Sequence, residues 1–388
     1  VQLKMELSTA NPLNSPIVKS VKVQTVLAER VPMPGNIRMV ETDNPPILYP
    51  SVKWEWEKSD RPEFAELRQR ENLDEVIGDA RTQFAKQVRL LDHATKRFNN
   101  VNPIPEYPDW NALSILDRIN KAGNGGMCIQ LNNVLVGFYT AYGWQARHVN
   151  IVSHEVCEVW NDDLAKWVYM DASSVNHYIY DKETAEPLNL LELHQRYLKK
   201  YSPGRPIDWM NDPLNVASMD DEFDVAQGSL THHIFPWNGV TLGAFIRMVP
   251  RNNWFEKPYP RPLSHGKTWW PWDGYINWYD EQTPPKKQYS WHTDRPQDLW
   301  PALNRVHVDA TAGYGNDRLF LRFETYTPNF SHFEVNPDDT EWRETGEYWA
   351  WLLQPGRNTL RVRAVTQAGV KGKPASIVLN HGNAQIKE

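Results

Sequence analysis

Between residues 125 and 171 the sequence changes its period, and that change limits what the chain can build. The glycine pair Gly125-Gly126 precedes Met127 and Cys128. From Cys128 the apolar residues Leu131, Leu135, Phe138 and Tyr142 recur at three- to four-residue spacing, the stripe of a helix, and Gly143 suits its C-terminal end. Strand-like runs follow at once at 145–152 (QARHVNIV), 154–160 (HEVCEVW) and 166–171 (KWVYMD). A helix feeding into neighbouring strands predicts an α+β unit, with the helix opened by Cys128 packed on an antiparallel sheet.

The surrounding chain divides by pattern. Residues 1–60 are interrupted by proline and carry short β-like runs, so an irregular segment is expected whose strands add to a neighbouring sheet. Val76, Ile77, Ala80, Phe84, Val88, Leu91 and Ala94 predict a helical region from Pro62 to about residue 99, with a Pro-rich link and a helix over 110–121 beyond it. The core unit is expected over 61–230, and a Trp-rich connection over 231–301 carries Trp237, Trp254, Trp269, Trp270, Trp272, Trp278, Trp291 and Trp300. From 302 to 388 the runs RLFLRFETY, EYWAWLL, NTLRVRAVT and ASIVLNH are separated by turn residues. They predict a separate immunoglobulin-like β-sandwich with Trp349, Trp351, Leu360 and Val362 in its core.

Composition excludes several roles. A net charge of −6 without a basic run argues against a nucleic-acid partner, which needs a concentrated cationic face. No apolar stretch approaches the ~18–20 residues that span a bilayer, so no membrane span is expected. The 2 cysteines allow one optional bridge at most. His232-His233, His265 and His292 lack metal-ligand spacing, and no metal or other cofactor is expected. Glu192 and His194 fall on a helix and are expected at its surface. The 18 tryptophans fit either a carbohydrate-stacking wall or packing between domains, and packing is the favoured reading. The chain opens Val1-Gln2-Leu3-Lys4, and an exported protein, periplasmic or extracellular, is expected.

Cys128 falls in the first turn of its helix, where unpaired N–H groups and the macrodipole favour an anion such as a thiolate. The glycine pair permits the close backbone approach an oxyanion site requires. The blander reading of such a cysteine is a small buried hydrophobe. The hairpin weighs against it. If the Asn161-Asp162-Asp163-Leu164 loop is closed by Trp160 opposite Ala165, His154 stands directly opposite Asp171 on one face, with Cβ atoms roughly 4.5–5.5 Å apart. One imidazole nitrogen is then held by a carboxylate while the other is free to reach a thiol, the logic of nucleophile, base and orienter. Cys157 alternates with His154 and reads as a core thiol, and a Cys128–Cys157 disulfide would silence the nucleophile.

Gly-Gly-Met-Cys before a helix, His-Glu-Val-Cys-Glu-Val-Trp, and Trp-Val-Tyr-Met-Asp closing the next strand resemble the transglutaminase-like superfamily, whose fold is related to papain-like peptidases. The resemblance covers roughly residues 75–200. It implies Cys128 as nucleophile, His154 as general base and acid, and Asp171 as orienter. It implies thiol-dependent acyl transfer from, or hydrolysis of, an amide or ester in a peptide, protein or glycoconjugate. Gly126, Gln130 and, by position only, Trp110 are oxyanion or substrate candidates, with a core role favoured for Trp110. The sequence departs from the family at Val156, where many members carry an aromatic residue, and at Asp171-Ala172-Ser173, where Asp-Pro-Thr is usual. Two other readings use the same fold: a carbohydrate-active or carbohydrate-binding protein, and a scaffold without catalysis.

Overall fold

The computed structural model describes residues 33–98, 109–122, 126–151, 154–173, 177–181, 183–201, 223–227, 246–257, 275–280, 291–313 and 315–382. The helical pattern from Pro62 is broken into α1 (Pro62–Arg70), α2 (Leu73–Ile77) and α3 (Gln83–Lys96). The breaks have local causes. Asn72 and Gly78 take left-handed φ values of 51° and 46°, and the Thr82 hydroxyl caps α3 by accepting from Ala85 N at 3.1 Å. Ala80 therefore lies in a loop, while Val76, Ile77, Phe84, Val88, Leu91 and Ala94 all pack into one core. A fourth helix, α4 (Ala112–Ala122), follows.

The helix α5 (Cys128–Thr140) is not amphipathic as its stripe suggested, because every residue from Ile129 to Thr140 is buried. It is the central helix, with α1, α3 and α4 on one side and strands on the other. Gly137 makes the α4 crossing close: a Cβ there would stand 2.5 Å from the Ala112 Cβ. Gly143 turns the chain out of the helix at φ 77°.

The helix covers a six-stranded sheet in the order β4 (Lys166–Met170), β3 (His154–Asn161), β2 (Ala146–Ile151), β7 (Ile246–Met248), β8 (Ile276–Trp278) and β9 (Trp291–Thr293). All neighbours are antiparallel except β8 and β9. The stretch expected as a connection over 231–301 thus contributes three strands to the core sheet. Each is three residues long, too short to show a period. Two further strands, β5 (His177–Asp181) and β6 (Phe223–Gln227), pair separately.

Alternation along β3 and β4 sorts side chains into two cores. Cys157, Val159, Val168 and Met170 face the helices. Val156, Trp160, Trp167 and Tyr169 face a second cluster with Leu190, Leu193, Trp54, Trp278 and Trp300. The helix α6 (Leu190–Tyr201) lies against that second cluster, which overturns the surface expectation for His194. His194 is 0% exposed, with its ring nitrogen 2.9 Å from Asp280 Oδ2. Glu192 is half-buried and ion-paired to Lys166 at 2.8 Å. Among the Trp-rich stretch, Trp254, Trp278 and Trp300 are buried and Trp291 is exposed. Trp237, Trp269, Trp270 and Trp272, with His232, His233 and His265, lie outside the described residues.

The C-terminal part is a two-sheet antiparallel sandwich. One sheet is β10 (Val306–Ala312), β11 (Arg318–Thr325) and β14 (Tyr348–Leu352). The other runs β1 (Ile37–Asp43), β16 (Ala375–His381), β15 (Gly356–Thr366), β12 (Phe330–Pro337) and β13 (Arg343–Thr345). Trp351, Leu360 and Val362 are buried between them, and Trp349 is partly buried against them. The sandwich is therefore not confined to 302–388: β1, from the segment expected to be irregular, pairs with β16 from Ile37 opposite His381 to Asp43 opposite Ser376. Trp167 Nε1 donates to Pro301 O at 2.8 Å, and Asn304 Nδ2 to Asp162 Oδ1 at 2.8 Å, tying the start of this domain to the β3–β4 hairpin. Among the described residues no helix is long and apolar enough to cross a membrane.

Candidate active site

Met127 precedes α5 with extended backbone, φ −87° and ψ 172°. Gln130 Oε1 accepts from Met127 N at 2.8 Å, so this side chain caps the helix entrance. Gly126 is packed too closely for any side chain: a Cβ would lie 2.9 Å from Phe98 Cε1 and 3.0 Å from Gln130 Cβ. Cys128 is the first helical residue, a free thiol only partly buried. Met127 N donates to Gln130 and Gln130 N to Met127 O at 3.0 Å, so the first-turn N–H groups of Cys128 and Ile129 are the ones a helix start offers to an anion.

The hairpin register differs from the expectation. Asn161 pairs with Lys166, Trp160 with Trp167, Glu158 with Tyr169 and Cys157 with Met170. The loop is 162–165 because Ala165 takes φ 54° and Asn161 Oδ1 accepts from Leu164 N at 2.9 Å. The loop keeps four residues but is shifted one position along the chain from a Trp160–Ala165 closure. Continued beyond Met170, it sets Asp171 opposite Val156, two residues from His154. An even offset keeps both side chains on one face as diagonal neighbours. They meet: His154 Nε2 is 2.7 Å from Asp171 Oδ2.

Asp171 is fully buried, whereas the His154 side chain keeps 13% exposure, so the ring lies where a substrate can arrive. Cys128, at the start of α5, acts on the same imidazole and adds to its basicity. Burial alone would lower the basicity of His154, but the Asp171 charge and hydrogen bond, joined by Cys128, outweigh it and raise its pKa to about 10. Asp171 thus favours the charged form of the ring.

The Asp171 carboxylate is held on its other side as well. Its Oδ1 accepts from Ser173 N at 2.8 Å and from Asn132 Nδ2 at 3.1 Å. Asn132 escaped the sequence reading, although its place one helical turn after Cys128 was the available signal. Asn150 and Glu155 escaped it too. Asn150 Nδ2 donates to Glu155 Oε1 at 2.6 Å and to His154 O at 3.3 Å, while Arg247 Nε donates to Asn150 Oδ1. Burial raises the Glu155 carboxyl to about 8 against the pull of Arg247, Asn150 and His154. Burial, followed by Arg251 and Arg247, lowers His148 to about 3.

Trp110 is a buried residue packed edge-on to His148 at 4.5 Å and near Trp254 at 5.1 Å, in a cluster that includes Ile129 and Met127. It braces the helix entrance through ring contacts. Cys157 is buried opposite His148 and Met170, and burial pushes its thiol up. Neither cysteine is in a disulfide. Among the described residues no three His, Cys, Asp or Glu side chains converge as a metal site. Comparison with protein-family models, with curated proteins and with solved structures finds no match.

Proposed function

We propose that the chain is a cysteine-dependent acyl-transfer or hydrolytic enzyme of transglutaminase-like type, acting on an amide or ester of a peptide, protein or glycoconjugate. The observation that carries this reading is the His154–Asp171 pair at 2.7 Å, with the partly buried Cys128 at the start of α5 acting on the same imidazole. The Cys128 thiolate attacks the carbonyl carbon, and the carbonyl electrons move to oxygen opposite the first-turn N–H groups of α5. As that oxyanion collapses, the His154 imidazolium gives its proton to the leaving amine or alcohol, and a thioester remains. Water or an amine then attacks the thioester while His154 takes its proton, and the Cys128 sulfur departs. Asp171 keeps the ring oriented and stabilises its charge throughout.

The test is mass spectrometry of the intact chain with activated acyl esters and glutamine-containing peptides, with and without a primary amine. Acylation at Cys128, absent in Cys128→Ala, is the expected outcome. Iodoacetamide labelling of Cys128 and Cys157 at equal rates near neutral pH would overturn the reading.

Carbohydrate recognition has one observation of its own. A cleft of ≈ 710 Å³ in the sandwich is lined by Tyr49, Phe330 and Phe333 beside His332, Glu344 and Glu347, a combination of ring faces and hydrogen-bonding groups that suits a sugar. Glycan-array binding that is lost in Tyr49→Ala would favour it, and binding to no glycan would remove it.

A further inference from the structure

We propose that Asn132 is the positioning residue of this site, a side chain that ties the nucleophile's helix to β3 and to the residues that follow β4. The inference rests on the acyl-transfer reading. Asn132 is 0% exposed and lies four residues after Cys128. Its Nδ2 is 3.0 Å from Cys128 O, 2.7 Å from Glu155 O and 3.1 Å from Asp171 Oδ1, and its Oδ1 accepts from Ala172 N at 3.0 Å. One carboxamide therefore contacts the nucleophile's own peptide, the peptide following His154, the orienting carboxylate and the peptide following that carboxylate.

Asn is a weak helix former, and its burial is unfavourable unless its hydrogen bonds are made. The same helix buries Gln130 and Asn133 beside Leu131, Val134 and Leu135, and an apolar residue at 132 would leave Ala172 N and Asp171 Oδ1 short of a partner, so the carboxamide serves stability too. Its second contribution is geometry. A carboxylate turns freely about its last torsion. Donors on Oδ1 from Asn132 and Ser173 fix that torsion so that Oδ2 meets the His154 ring. Asn150 holds the His154 carbonyl from β2, but only Asn132 among these side chains also reaches the residues that follow β4 and the start of α5. Its replacement removes none of the charged or titratable groups around it, which are Asp171, His154, Cys128, Tyr169, Glu155, Arg247 and His148.

The experiment uses the full chain and the pH dependence of Cys128 alkylation by iodoacetamide. Asn132→Leu is expected to slow alkylation at least tenfold at pH 6.5 and to leave the rate at pH 10 near that of the parent, where thiols ionise without help. In an Asp171→Asn background the same substitution should add nothing further, because Asn132 acts through Asp171. Asn132→Ser serves if the leucine variant unfolds, since its hydroxyl can bond the carbonyl four residues back but cannot span to Asp171. A parent-like pH profile in the folded variants, or an equal loss in the Asp171→Asn background, overturns the inference and leaves the acyl-transfer reading standing. A parent whose Cys128 reacts at pH 6.5 no faster than Cys157 overturns the acyl-transfer reading itself.

Discussion

Asp171→Asn removes one charge and almost no volume, so its effect can be reckoned from the His154 environment. The imidazole rises from 6.5 to about 10 although burial opposes the rise. At about 1.4 kcal/mol for each pH unit, the folded site favours imidazolium by roughly 5 kcal/mol. Asp171 is the largest favourable contributor. Without its charge, burial is opposed by Cys128 alone and His154 becomes neutral at pH 7. Cys128 alkylation at pH 6.5 should then fall on the order of 100-fold, as the thiolate loses its counter-charge. Stability carries a matching signature. A histidine raised in the folded state contributes stability fully below about 6.5 and loses it as pH rises through about 10. The parent's unfolding free energy should therefore decline across that window, and the decline should vanish in Asp171→Asn. Urea unfolding from pH 6 to 10.5, paired with alkylation rates, measures both. A variant with the parent's alkylation profile and the parent's slope would refute the ion-pair argument.

Gly126→Ala would drive a Cβ against the Phe98 ring at 2.9 Å. It should slow Cys128 alkylation several-fold and lower the thermal midpoint by a few degrees, and calorimetry with labelling that matches the parent would contradict the packing. Burial raises the Asp162 carboxyl to about 6, against donors such as Asn304 and Trp160. An acid raised in the folded state is least costly below its unfolded value, so stability should fall as pH rises from about 4 to 6. Asp162→Asn should erase that slope and add about 1–3 kcal/mol at pH 7 by denaturant titration, whereas an unchanged slope would exonerate Asp162. A chain ended before Arg305 leaves β1 without β16 and should aggregate by light scattering. A soluble monomeric fragment with parent-like Cys128 reactivity would show that the sandwich is dispensable.

The parts of the fold that sequence made legible are those with long, regular patterns. The Cys128 helix, the three strands after it and the sandwich runs were all readable from period alone. Side-chain parity carried His154 and Asp171 to one face even though the hairpin closed at Asn161 and Lys166 instead of Trp160 and Ala165. The turn was misjudged because the left-handed Ala165 carries no compositional mark. Strands β7, β8 and β9 were hidden by their length, whereas β1 meets the expectation that the first segment adds a strand to a neighbouring sheet, and only its partner β16 was not legible. His194 looked external because the layer that covers α6 comes from residues far along the chain. Asn132 was hidden for a different reason: its meaning lies in peptides brought together only by tertiary packing.

The pairing of β1 with β16 makes the helix-and-sheet unit that carries Cys128 an insertion within the sandwich, and this sets an order of events during synthesis. Thr42 and its partner segment at Ser376 are separated by 334 positions. At about 5–20 residues per second, roughly 17–67 seconds pass on the ribosome before β16 can meet β1. The inserted unit has its helices and most of its strands in hand well before then, so it can close around α5 first. During that interval β1 is an unpaired strand tethered to a nearly finished domain. A chain halted anywhere in the sandwich would keep that edge open, a state that chaperones and proteases can distinguish from the completed protein.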